Sequence, residues 1–157
     1  MVIVFFDLGD FKLKNNQLID FSLMALLVSI GVVYCLVANS EYEDSKELDT
    51  LEIKGESAEK HFESAFFLST ALVNFILAGI IVKSSRNLVP YFVTAGISVA
   101  LILIYIASRT IGVPVVGVEF YVGRLDIISK VLQVVVIVLC GFAIYHIRKI
   151  MTLKEVA

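Results

Sequence analysis

One candidate set of metal ligands in this sequence consists of His61, Glu119 and Asp126. Imidazole and carboxylate groups bind divalent metal ions such as zinc. Their spacing in the sequence matches no recognised metal motif. Glu63, an acidic residue close to His61, would not complete one, because the two side chains fall on different faces of a helix. Asp126 and Lys130 are four residues apart, a helical spacing at which opposite charges neutralise each other. Two hypotheses therefore stay open for these residues, a metal site and a set of mutually neutralising charges.

Other chemistry is sparse in the sequence. It contains no catalytic constellation, so we expect no enzyme activity and no catalytic residue. The two histidines, His61 and His146, would lie at opposite ends of a helical bundle, which argues against a haem held by both of them. We predict no cofactor. Four further polar residues are candidates for packing or partner contact rather than chemistry: Asn74, Arg109, Lys130 and Gln133.

Long apolar runs must position these residues. Residues 21–40, 64–82, 87–108 and 131–145 contain no charged side chain or histidine. A helix needs about 20 predominantly apolar residues to cross a bilayer. Hydrophobic residues make up 59% of the chain, above the roughly 45–50% of soluble domains. We therefore predict an all-α integral membrane four-helix bundle as a single domain over residues 1–157, with helices at about 17–40, 61–84, 89–109 and 126–149.

Charge distribution indicates how the chain crosses the membrane. Cytoplasmic loops carry an excess of lysine and arginine. With both termini cytoplasmic, seven basic residues lie inside and six outside. Eight acidic residues then fall in one outer loop, 41–60, and a second outer loop covers residues 110–125. We expect a multi-pass protein of the cell membrane in this orientation. The net charge of −2 argues against nucleic acid as a partner.

The connecting segments carry further expectations. Residues 41–60 are predicted as a solvated acidic loop or short surface helix, with an acidic docking surface as the alternative. The short turn between the second and third helices predicts an antiparallel helical hairpin. Residues 1–14 form either an interfacial segment or a partly ordered tail.

Polar and small residues recur at helical spacing and predict the inward face of each helix. On these faces, Asn74 and Gln133 can form hydrogen bonds across the interfaces between helices. The predicted inward residues are Asp20, Met24, Leu27, Gly31 and Tyr34 on the first helix; Glu63, Phe67, Thr70, Asn74 and Ala78 on the second; Thr94, Ser98, Leu101, Tyr105 and Ser108 on the third; and Asp126, Lys130, Gln133, Ile137, Cys140 and Gly141 on the fourth.

The segment from Ser108 to Pro114, then Glu119, then the stretch from Asp126 to Gln133 is similar to a pattern in small uncharacterised four-helix membrane proteins of archaea and actinobacteria. Those proteins have an Arg-Thr-x-Gly-x-Pro turn, a loop glutamate and an aspartate-led final helix. His61 at the start of the second helix also resembles that pattern. Phe120 follows Glu119 where those proteins commonly have proline. Some small archaeal four-helix proteins are accessory subunits of membrane enzymes, the copper-dependent ammonia monooxygenase among them.

Three functions follow from these observations. The leading one is a non-catalytic accessory subunit of a multi-subunit membrane complex, with other integral membrane subunits and the lipid bilayer as partners. The alternative is a small metal- or ligand-binding membrane protein that uses His61, Glu119 and Asp126 at the outer boundary. A small oligomeric transporter is least favoured, because the polar side chains expected deep in the membrane, away from the ends of the runs, are Asn74, Gln133 and hydroxyl groups.

Overall fold

The protein is all-helical in a computed structural model that describes residues 8–83, 87–112 and 123–155. Side chains are described for residues 17–83, 87–112, 123–149 and 151–152. The four helices of these residues are α1 (Leu8–Thr50), α2 (Lys54–Lys83), α3 (Val89–Thr110) and α4 (Arg124–Glu155). Each contains a stretch long and apolar enough to cross a membrane. The predicted all-α class and the four apolar spans are confirmed.

Helix α1 is much longer than a bilayer requires. Its 43 residues extend about 65 Å at the rise of an α-helix, roughly twice the thickness of the hydrocarbon core. Residues 41–50 and 54–60, predicted as an outer loop, belong to α1 and α2. They stay helical because glutamate and lysine are good helix formers and no proline interrupts them. We call residues 41–63 the hairpin extension.

A tight turn closes the hairpin extension. Only residues 51–53 separate the two helices, and Glu52 takes a left-handed conformation with φ of 61°. The backbone N–H groups of Leu51 and Ile53 donate to the carbonyls at the end of α1, those of Glu47 and Leu48. Chain reversal within three residues keeps α1 and α2 antiparallel, and they stay in contact from Asp49 and Ser57 near the turn to Gly31 and Phe75.

The helices do not pair as the short turns suggested. Among the described residues α1 and α2 share the most extensive interface, α4 packs against both α3 and α1, and α2 and α3 share the smallest interface of the helix pairs that touch. The expected hairpin of α2 and α3 is therefore a poorly packed pair. Pro90 lies in the first turn of α3, where the missing N–H is not needed. The apolar core residues with no exposed surface come from α1, α2 and α4, and α3 adds Tyr91 at 1% exposure; the former are Leu23, Leu27, Ile30, Ala71, Ile81, Val136 and Cys140.

Gly31 allows α1 and α2 to approach closely. A Cβ atom at this position would lie 2.6 Å from Cε1 of Phe75 on α2. The ring of Phe75 therefore fills the space that any larger residue would need. A small residue at a helix contact lets backbones approach in this way.

The predicted inward faces are largely the buried ones. Asp20, Leu27 and Tyr34 on α1 are buried, and so are Thr70 and Asn74 on α2, Thr94 and Ser98 on α3, and Gln133 and Cys140 on α4. Gly141, at the edge of the predicted α4 stripe, is exposed. Spacing in the sequence thus identified which side of each helix faces the bundle.

Candidate functional site

His61 lies in the hairpin extension between two residues of α1. Its Nε2 is 3.4 Å from a carboxylate oxygen of Asp49, and its Nδ1 is 3.3 Å from the hydroxyl of Ser45. Ser45 donates its own hydrogen to the carbonyl of Tyr42, so its oxygen is left to accept from the imidazole. Ser45 is fully buried. His61 therefore ties α2 to α1, and a Ser45 hydroxyl with no exposure cannot reach a substrate as a nucleophile.

Asp49 receives a second bond from α2. The hydroxyl of Ser57 donates to the Asp49 carboxylate, and Ser57 itself is buried. Both residues lie in the hairpin extension, beyond the charge-free apolar runs. The hydrogen bonds from Ser57 and then His61 stabilise the charged form and lower the pKa of the Asp49 carboxyl. Asp49 thus anchors the tip of the extension as a carboxylate.

An ion-pair cluster marks the base of the hairpin extension. The ammonium of Lys60 lies 2.8 Å from carboxylate oxygens of both Glu41 and Glu63. The Ser64 hydroxyl, one residue further on, donates to the carbonyl of Ala38 on α1 at 2.8 Å. Two carboxylates around one ammonium hold the helices together where the apolar runs begin.

Asp126 is engaged at the start of α4. Its carboxylate accepts hydrogen bonds from the guanidinium of Arg109 at 3.1 Å and from the backbone N–H of Gly123 at 3.2 Å. A carboxylate in the first turn of a helix also interacts favourably with the helix dipole. The Arg109 guanidinium lies over the ring of Tyr105, 5.1 Å from its centroid. Arg109 and Asp126 therefore join the end of α3 to the start of α4.

Tyr34 organises a polar cluster deeper between α1 and α4. Its hydroxyl oxygen accepts from the Lys130 ammonium at 3.0 Å and from the Gln133 amide at 2.8 Å. Tyr34 and Gln133 are 3% and 1% exposed, respectively. The Lys130 ammonium also lies 5.0 Å from the centroid of Tyr105 on α3, within cation–π range. The ring of Tyr34 stacks on Phe67 of α2, so this cluster touches all four helices.

The structure does not bring His61 and Asp126 together. Their helices, α2 and α4, have no Cα atoms within 8 Å of each other, and each side chain is bonded to partners on its own hairpin. Glu119 lies outside the described residues. Among residues 8–83, 87–112 and 123–155, no group of three histidine, cysteine or acidic side chains is placed to hold a metal. The metal site of His61, Glu119 and Asp126 stays a prediction.

The four packing candidates differ in their partners. Arg109, Lys130 and Gln133 reach other helices as described above. Asn74 is buried, but its amide donates to the carbonyl of Thr70 one turn earlier in α2. Of the two amides, Gln133 therefore forms a hydrogen bond to another helix, whereas Asn74 donates its hydrogen bond within α2.

The pair of Asp20 and Tyr91 was not predicted from the sequence. Tyr91 donates its hydroxyl hydrogen to the carboxylate of Asp20 across the bundle. Asp20 belonged to the predicted inward stripe of α1, whereas Tyr91 was not assigned to a face. The available signal was its position three residues before Thr94 and seven before Ser98, which places it on the same face of α3.

Comparisons with known proteins give no relative: no protein-family model matches the chain, and neither a curated protein nor a solved structure matches it.

Proposed function

We propose that this chain is a non-catalytic accessory subunit of a multi-subunit membrane complex. The observation that carries the proposal is that the polar side chains best suited to chemistry are bonded to one another across helices. Arg109 bonds Asp126, Lys130 and Gln133 bond Tyr34, and His61 lies between side chains of α1. Such contacts make a braced bundle, which suits a structural role.

The hairpin extension supports contact with a partner outside the bilayer. Its acidic side chains are mostly exposed, and large apolar side chains lie open beside them. Leu51 is 61% exposed at the tip and Phe62 is 51% exposed. Apolar side chains next to charges on a projecting element are typical of a surface that another protein covers.

In the proposed orientation both termini are cytoplasmic and the hairpin extension lies outside. The basic ends of α2 and α4, with Lys83, Arg148 and Lys149, then face the cytoplasm. A single cysteine at Leu51 in a cysteine-free background tests this in intact cells. An impermeant thiol reagent labels Leu51→Cys in this orientation and labels Met151→Cys only after lysis. The reverse pattern would invert the topology.

The test of the function is extraction of native membranes in mild detergent, native gel separation and mass spectrometry of the band. We expect stoichiometric integral membrane partners. The resemblance noted in the sequence suggests a copper-dependent membrane monooxygenase as the class of complex, and the copper content of the band tests that class. Migration alone or as a homo-oligomer would refute the accessory role.

Charge reversal locates the contact. The double variant Glu43→Lys, Glu47→Lys on the exposed side of the hairpin extension is expected to release the partners. Lys149→Glu at the opposite end of the molecule is the matched control, and it should co-migrate as the native chain does. If only Lys149→Glu lost its partners, the interface would lie at the end of the molecule opposite the hairpin extension, and the proposed contact would be refuted.

A further inference from the structure

Asp20 places a carboxyl group inside the bundle. It is 6% exposed, and the hydroxyl of Tyr91, which is 1% exposed, donates to its Oδ1. The backbones of α1 and α3 nowhere bring Cα atoms within 8 Å. The long side chain of Tyr91 therefore reaches across the bundle's interior to the shorter Asp20.

The second oxygen of the same carboxyl group has no hydrogen-bond partner among the described residues. Asp20 Oδ2 is buried without a hydrogen bond, and so is the hydroxyl of Thr94, one turn after Tyr91 on the same face of α3. None of the ion pairs among the described residues includes Asp20. An ionised carboxylate in an apolar interior is strongly unfavourable unless a cation or several donors replace its lost water.

The helices packed around Asp20 offer no such cation in the described residues. From α3 it meets the hydroxyl of Tyr91, which belongs to the same buried cluster as Cys140 of α4. Lys83 at the end of α2 is exposed. The guanidinium of Arg148 lies over the ring of Phe92. On α1 the next buried residue after Asp20 is Leu23, and the last buried residue of α2 is Ile81; both are apolar.

We propose that Asp20 is a proton-binding site within the membrane bundle. The carboxylate takes up one proton and becomes a neutral carboxylic acid, with the O–H on Oδ2 and the Tyr91 hydroxyl donating to Oδ1. A proton satisfies the buried group, for which no lysine or arginine of the described residues provides a partner. Asp20 directly precedes the apolar run 21–40, so the proton enters from the membrane boundary at that end of α1.

Protonation then controls the contact between α1 and α3. The neutral acid is compatible with the dry interior in which Asp20 and Tyr91 meet. Loss of the proton leaves an uncompensated charge that favours entry of water between the two helices. The bundle is therefore most tightly closed while Asp20 carries its proton.

Infrared spectroscopy of the full chain in liposomes tests the site. We expect the C=O stretching band of a protonated carboxylic acid at neutral pH, complete loss of that band in Asp20→Asn, and its retention in Asp126→Asn. Tyr91→Phe should keep the band at a shifted frequency, because the hydrogen bond to Oδ1 is removed. Absence of the band in the native chain, or its persistence in Asp20→Asn, would overturn the proposal.

A second measurement needs no variant. Solid-state NMR of the native chain with ¹³C-labelled aspartate carboxyl groups follows protonation directly as the pH is raised. We expect one aspartate resonance to keep the position of a neutral acid at neutral pH and to change only in alkaline buffer. A resonance that responds to added sodium at constant pH instead would identify a metal cation as the ligand and refute proton binding.

Discussion

Replacing Gly31 by alanine tests the close approach of α1 and α2. The added Cβ would lie 2.6 Å from Cε1 and 2.8 Å from Cζ of Phe75, distances that require atoms to move. Phe75 is partly buried and packs against the hydrophobic core, so its ring is held by other side chains. Overpacking of this kind costs about 1–3 kcal/mol.

The matched control is Gly79→Ala on α2, where the added Cβ meets nothing within 4 Å. Alanine in place of a helical glycine gains about 0.5–1 kcal/mol in either helix. Because both variants share this gain, the difference between their unfolding free energies isolates the steric cost. Gly31→Ala is expected to be less stable than Gly79→Ala by about 1–3 kcal/mol.

Equilibrium unfolding in mixed detergent micelles with increasing SDS, followed by circular dichroism, measures this difference. In a Phe75→Ala background the two glycine variants should become equally stable, because the opposing ring is gone. Equal stability of Gly31→Ala and Gly79→Ala in the native background would refute the close contact. A difference that survives removal of the ring would place the clash elsewhere.

Three further outcomes are expected. Tyr34→Phe removes the hydroxyl that accepts hydrogen bonds from the buried amide of Gln133 and the ammonium of Lys130. It should therefore lower the unfolding free energy by about 1–3 kcal/mol in the same SDS titration. The control is Tyr105→Phe, which should change the unfolding free energy little because the Tyr105 hydroxyl has no described hydrogen bond. The hydrogen bonds from Ser57 and His61 hold the pKa of the Asp49 carboxyl below its ordinary value, so its stabilising effect is present above the ordinary pKa and is lost as the pH falls through the lower pKa of the folded chain. Hydrogen exchange at the tip of the hairpin extension, corrected for intrinsic rates, should therefore speed up in acid, and Asp49→Asn should remove that acid sensitivity. For His61→Ala and Asp126→Ala, we expect the metal content of the purified protein, measured by mass spectrometry, to equal that of the native chain; loss of a stoichiometric metal in both would instead support the predicted metal site.

Local sequence determined the elements and their inward faces. Residues such as Thr70 and Thr94 recur with buried neighbours at helical spacing, and the charge-free runs required helices of membrane-spanning length. Local sequence did not mark where α1 ends, because hydropathy falls after residue 40 while helix propensity does not. Glu43, Lys46 and Glu47 leave the apolar run yet continue the helix to Thr50.

Partners across the bundle were decided by tertiary structure alone. Nothing near Tyr91 in the chain indicates Asp20, 71 residues away, and nothing near Lys130 indicates Tyr34, 96 residues away. Helical periodicity fixes which way a side chain points, but not which neighbouring helix it meets. That choice depends on close packing, such as Phe75 against Gly31, which joins α1 to α2 and leaves α3 to pack on α4.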